Sequence, residues 1–176
     1  MNETELRQAM SDYGEAVYRL ALCRLQNTAD AEDVYQDVFL RLLEQRGAET
    51  WEAERRKAWL LRTAVNRCAD LGRRRGRVLP LENISNAPAP AGSETAELWD
   101  AVSRLPEDLR TAVHLFYGEG YESGEIGTLL GVPGATVRSR LRRARNKLRT
   151  ILTGGMEDDK PLPEFTEHDP RTCRTQ

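Results

Sequence analysis

Apolar residues recur three and four positions apart through the first part of the chain, and no proline interrupts them before Pro80, which predicts helices rather than strands. Tyr13, Val17, Leu20 and Arg24 share one face, with Ala16 and Leu25 beside them, giving a first helix over about 4–25. Asn27 and Thr28 then offer caps, and Asp30, Glu32 and Asp33 follow where negative charge suits a helix start. A second helix to about 45 carries Val34, Val38 and Leu42 at four-residue spacing, with Phe39 and Leu43 alongside. The stretch 47–51 breaks the pattern, and a third helix to about 74 carries Trp59, Leu60, Thr63, Val65 and Leu71.

The periodicity stops between Gly76 and Gly92. Pro80, Pro88 and Pro90, with Asn83, Ser85 and Asn86, cannot continue a helix or a central strand, so this stretch reads as a linker. Fully extended it spans on the order of 60 Å, and the helical halves it joins need not touch. Helices resume with Ser93 as a cap for 94–104, and Pro106 takes the first-turn position of a helix over 106–117. The fold class is therefore all-α: two small helical domains, 1–77 and 94–153, joined by a flexible linker over 78–93 and followed by a polar tail over 154–176 expected to be disordered.

The second domain contains a turn with mechanical meaning. Ser123 can cap a short helix whose Ile126 and Leu130 face inward, and Gly131 supplies the positive φ that lets the chain turn sharply. Gly127 is small where two helices must approach closely, Val132 plugs the turn, and Pro133 sets the backbone for a second helix. Val137, Leu141, Ala144, Leu148 and Ile151 form that helix's buried stripe. What remains on it is basic or small and polar: Thr136, Arg138, Ser139, Arg140, Arg142, Arg143 and Arg145. This is the pattern of a helix-turn-helix that lays an arginine-rich helix in the major groove, where an arginine can pair bidentately with guanine and its neighbours can neutralise phosphates. A merely solvated helix would need acids four residues away, and none lies between Arg138 and Arg149.

The formal charge of −2 conceals a polarity along the chain. Residues 1–54 hold twelve acids and five bases, residues 55–77 hold nine bases against Asp70 alone, and 138–149 hold seven bases and no acid. Two separate basic elements suggest two contacts with a polyanion. The acids Asp30, Glu32, Asp33 and Asp37 read as a solvated face or a divalent-metal site; no matching carboxylate cluster occurs elsewhere, and a metal-dependent nuclease is the weaker reading. No stretch approaches the roughly 18 apolar residues of a membrane span, and an acidic start without a greasy run argues against a signal peptide, so a cytoplasmic location is expected. Cys23, Cys68 and Cys173 lack metal or redox spacing, and neither a metal nor a cofactor is implied.

Two further stretches complete the picture: Asp30-Ala-Glu-Asp-Val-Tyr-Gln-Asp-Val-Phe-Leu-Arg-Leu and Ala58-Trp-Leu-Leu-Arg-Thr-Ala-Val-Asn-Arg-Cys-Ala-Asp-Leu-Gly-Arg-Arg-Arg. With Leu105-Pro106, Glu125-Ile126 and Gly134-Ala-Thr-Val-Arg-Ser-Arg-Leu-Arg-Arg-Ala-Arg in the second half, the chain resembles the extracytoplasmic-function group of bacterial sigma factors. The resemblance covers about 13–75 and 98–152.

It implies a non-catalytic subunit that directs core RNA polymerase to promoters. The acidic helix, through Asp30, Asp33, Gln36 and Asp37, would dock on the β′ clamp helices. The third helix and the loop before it would open and read the −10 element, with Trp51, Arg62, Asn66, Arg67, Arg73 and Arg74 supplying stacking and a basic track. Trp51 reads equally as a buried loop anchor. The second domain would read the −35 element through Thr136, Arg138, Ser139, Arg140, Arg142 and Arg143. Such proteins are usually held inactive by an anti-sigma protein, a further partner. Gly127 departs from the family's usual alanine, which weakens its short helix by about 1 kcal/mol. A stand-alone helix-turn-helix regulator with a sensing or dimerising N-terminal half is the competing reading.

Overall fold

The helices lie where the periodicity puts them. A computed structural model describes residues 1–75 and 93–154. The N-terminal half comprises α1 (Glu3–Leu25), α2 (Thr28–Glu44), a short 3-10 turn (Ala48–Thr50) and α3 (Ala53–Arg75). The C-terminal half comprises α4 (Ser93–Ser103), α5 (Glu107–Val113), a π-helical turn (His114–Gly118), α6 (Ser123–Leu130) and α7 (Gly134–Leu152). No strand occurs among the described residues. The expected Ser93 side-chain cap and the tail lie outside what is described, as does most of the linker.

Local chemistry sets the ends. Asn2 and Glu5 form a reciprocal capping box at the start of α1, and the Asn27 side chain accepts the Asp30 N–H at 3.0 Å to open α2. Pro106 sits just before α5 rather than inside it, and that helix gives way early to the π turn, where the Glu119 N–H reaches back to His114 O at 3.1 Å. The turn holds one residue more than an α-helix would, a feature that apolar spacing cannot reveal.

In the N-terminal half α1 packs on both α2 and α3, burying Val17, Leu20, Val34, Val38, Leu42, Leu60 and Leu61. In the C-terminal half α7 packs on α4, α5 and α6 around Leu109, Leu115, Ile126, Val137 and Leu141. Linker length leaves the halves free to separate, yet here they are docked. α1 lies against α5 and the π turn, α3 lies against α6, and the buried side chains of both halves join one contiguous cluster.

The seam between the halves is polar at its edge. Arg110, only 7% exposed, donates to the carbonyls of Cys23 and Arg24 at the end of α1, and to those of Ser103 and Leu105 at the end of α4. Its cation thus rests where two helix C-termini converge, each with unpaired carbonyls and partial negative charge. Arg24 pairs with Glu107 and donates to the Thr111 hydroxyl at 3.2 Å, and the Gln26 amide donates to Ser103 O at 2.6 Å. Farther along, Lys57 pairs with Glu119 at 3.2 Å and sits 5.3 Å from the centre of the Tyr121 ring. Cys68 is buried and Cys23 half-buried at this seam, where burial pushes their thiols up to about 12 and about 11.

Candidate nucleic-acid interface

Helix α7 presents its basic residues because its apolar stripe is satisfied from below. Val137, Leu141 and Ala144 are buried, whereas Arg138, Ser139, Arg142, Arg143 and Arg145 are exposed and Thr136 and Arg140 half-buried. The turn that aims the helix is built as its residues require. Gly131 adopts φ 68° and ends α6, and the Val132 N–H returns to Gly127 O at 2.9 Å. Gly127 allows the approach: a Cβ there would stand 2.5 Å from Val132 O and 3.1 Å from Gly134 N. Ser123 is the first helical residue instead of the cap, and the Glu122 N–H is held by the Glu125 carboxylate at 2.8 Å.

An acid does reach this face, but from another helix. Asp108 on α5 lies 3.5 Å from Arg140 and 3.8 Å from Arg143. Only same-helix neighbours are visible in a spacing argument, so this pairing escaped it. Arg138 and Arg142, one turn apart, remain exposed and have no ion pair among the described residues.

On α3, Arg62, Asn66 and Arg73 fall on one stripe by their spacing of four and seven, and all three are exposed, as is Arg74. Arg67 is half-buried and pairs with Asp37 on α2 at 2.7 Å. Asp70 pairs with Arg73, whose guanidinium holds the carboxyl below its usual range. Between α2 and α3 lies an open groove of about 410 Å³, lined in part by Arg41, Gln45, Trp59, Asn66, Arg67 and Asp70. The groove thus joins two residues of the −10 set, Asn66 and Arg67, to others outside it.

Trp51 is half-buried: its ring meets Trp59 edge-on with centroids 5.6 Å apart, and the Arg55 guanidinium lies 4.8 Å from the Trp51 ring centre. That arrangement favours the loop-anchor reading, since packing already engages the ring. The loop itself is drawn together by Arg56, which donates to Ala48 O, Glu49 O and Trp51 O. Arg56 reads in the sequence as one more base in a basic run, and its structural role had no signal there.

On the acidic helix, Glu32, Asp33 and Gln36 are exposed and Asp37 half-buried. Asp30, the first of the acids assigned to docking, is only 8% exposed, unlike Glu32, Asp33 and Gln36. The acids do not converge as a metal site would require: no group of three or more potential ligands occurs among the described residues. No helix among them is long and apolar enough to cross a membrane.

Comparison with known proteins finds two family matches in the order of the two halves: Sigma-70 region 2 over residues 9–78 and Sigma-70 region 4 over residues 95–148. The chain is 35% identical over 158 residues to the ECF RNA polymerase sigma factor SigE of Mycolicibacterium smegmatis, covering 82% of this chain and 60% of that protein's length. It is 33% identical over 144 residues to the ECF RNA polymerase sigma factor SigM of Mycobacterium tuberculosis, covering 77% of this chain and 71% of that one. Among solved structures, the sigma factor RpoE in complex with the anti-sigma factor NepR from Bartonella quintana superposes with a TM-score of 0.71 at 26% identity, covering 84% of this chain and 96% of that one. CnrH in complex with the cytosolic domain of CnrY gives 0.62 at 25% identity, covering 87% and 90%.

Proposed function

Because the chain belongs to the extracytoplasmic-function group of RNA polymerase sigma factors, we propose that it binds core RNA polymerase and directs it to promoters by contacting DNA at two places. One observation carries the reading: the helix-turn-helix offers Arg138 and Arg142 outward on an α7 with no acid of its own, while the same chain carries a second exposed basic stripe on α3. An arginine in the major groove can select guanine by about 1–3 kcal/mol, so Arg138 and Arg142, with Thr136 and Ser139, are the residues assigned to the −35 element. Arg140 and Arg143 stand partly withdrawn toward Asp108 and serve the phosphates.

The single-stranded −10 element is assigned to Arg62, Asn66, Arg67, Arg73 and Arg74, with the groove beside Trp59 and Asn66 as the place for an unstacked base. Trp51 supports the loop from within. Asp33, Gln36 and Asp37 dock the polymerase, with Asp30, 8% exposed, beside them at the start of the same helix. Catalysis stays with the polymerase, and an inhibitory protein that covers these surfaces is a fitting regulator, as RpoE is captured with the anti-sigma factor NepR.

The test is reconstitution with core polymerase on a genomic promoter library. Specific transcripts that require both the chain and core enzyme are expected, with loss of core binding in a folded Asp33→Ala/Gln36→Ala variant. Sequence-specific duplex binding without core, and no core-dependent transcript, would replace this reading with a stand-alone regulator.

A further inference from the structure

The acid beside the recognition helix is mounted on a neighbouring one. Asp108 stands in the first turn of α5, and its neighbours in the chain fix where it sits: Glu107 pairs with Arg24 of α1, while Leu109 and Arg110 are buried. The Asp108 carboxylate lies 3.5 Å from Arg140 Nε and 3.8 Å from Arg143 Nη2. Arg140 and Arg143 are three apart and share one flank of α7. Arg138 lies about 200° round the helix from Arg140, so that Arg138 and Arg142 form the opposite flank. That flank is exposed and has no ion pair among the described residues. The two flanks of one basic helix are therefore held differently.

Separations of 3.5 and 3.8 Å are long for hydrogen bonds, so the carboxylate steers the two guanidinium groups without clamping them. One anion beside two cations leaves a net positive charge, and the Arg143 side chain is 60% exposed, so a phosphate can still be met. Half-exposed pairs of this kind contribute little to stability, and the fold alone gives no reason for the arrangement. DNA gives one. Phosphate contacts set the register of a protein on a duplex, yet phosphates are present in every register and every sequence. A free arginine, long and rotatable, follows them anywhere. One restrained from α5 meets them only where α7 sits at the matching depth and angle.

We propose that Asp108 is a specificity-determining residue that touches no base: it restrains Arg140 and Arg143 so that they meet phosphates only in the register in which Arg138 and Arg142 face the bases. The inference rests on the assignment of α7 to DNA above. Asp108 acts by withholding two cations from mismatched registers, which raises selectivity without adding a contact to the matched one.

The full chain, alone and with core polymerase, is titrated by fluorescence anisotropy at several salt concentrations. The duplexes are the sequence that wild type selects from a random pool and a scrambled version of it. Asp108→Asn removes the charge at nearly constant size. It should bind the scrambled duplex several-fold more tightly, with the slope of log affinity against log salt steeper by about one. Affinity for the selected duplex should change by less than about twofold. Asp108→Ser gives the same test with a smaller side chain if the asparagine variant fails to fold by circular dichroism. Asp108→Glu, which keeps the anion, should behave as wild type. In an Arg140→Gln/Arg143→Gln background Asp108→Asn should have no effect, because the acid acts through those two side chains.

Equal selectivity in wild type and Asp108→Asn, or a glutamate variant as unselective as the asparagine one, would overturn the proposal. So would an effect of the same size in the arginine-free background, which marks plain repulsion between an acid and DNA. Failure of wild type to prefer any duplex, alone or with core enzyme, would overturn the reading of α7 itself and this proposal with it.

Discussion

The guanidinium of Arg110 donates to the backbone carbonyl of Cys23, 87 positions earlier in the chain. Burial lowers its pKa, but it remains a charged donor to four carbonyls. Arg110→Ala should therefore leave the ends of α1 and α4 without that donor and cost about 2–4 kcal/mol. Arg110→Lys should recover only part of it, since a point ammonium cannot reproduce a fork of five donors. Urea denaturation of the three chains measures both effects, and a wild-type midpoint in the alanine variant would refute the assignment.

Gly127→Ala sets two effects against each other. Alanine favours the helix by about 1 kcal/mol, whereas its methyl group would meet Val132 O at 2.5 Å. A backbone atom cannot swing aside like a side-chain tip, and overpacking of this kind costs about 1–3 kcal/mol. The expected result is a lower melting temperature together with weaker DNA binding, because the angle between α6 and α7 must change. An increase in melting temperature would show that the turn relaxes freely.

On α7, Arg138→Ala should change which base is preferred at one position of the −35 element, by about 1–3 kcal/mol in a binding-site selection experiment. Arg149→Ala, near the helix end, should weaken all sequences alike. Arg140→Ala should combine a modest general loss of affinity with a small loss of stability, because it also releases Asp108. An unchanged −35 preference in the Arg138 variant would remove that residue from the base-reading set.

His114 gives a pH dependence with a definite sign. Its side chain is 4% exposed, neither ring nitrogen has a hydrogen-bond partner, and the nearest carboxylate, Glu119, stands 3.9 Å away. Burial lowers its pKa from 6.5, an effect that Glu119 only partly opposes and Arg19 reinforces. The unfolded chain thus takes up a proton that the folded chain refuses. The contribution is complete above about pH 6.5 and is lost as pH falls below that, toward the lowered folded value. Thermal melts should show declining stability from pH 7 to 5.5, ahead of the carboxylates, and His114→Phe should flatten that interval.

Much of this was legible in the sequence because it is local. Helix spacing places α1, α2, α3 and α7 to within a residue or two, Asn27 caps where its type suggests, and Gly131 adopts the positive φ its turn demands. Long-range relations were not legible. Nothing near Arg110, Arg56 or Asp108 in sequence announces the partners they meet, since Arg110 looks like a solvated helix residue and Asp108 like an ordinary helix-start acid. The π turn escaped because one added residue leaves apolar spacing nearly intact. The low exposure of Asp30 was not legible because composition cannot separate an exposed acid from a buried one.

Asp37 is held at 2.7 Å by both Arg41 and Arg67, so a single anion stands between the surface assigned to polymerase and the track assigned to the DNA strand. It cannot satisfy a polymerase cation and Arg67 fully at once. A partner that claims Asp37 sets Arg67 loose for a phosphate, and thermodynamic reciprocity then requires a bound strand to strengthen the grip on that partner by the same factor. In this chain the grip on the enzyme and the grip on melted DNA would be coupled, each favouring the other, through competition for one carboxylate.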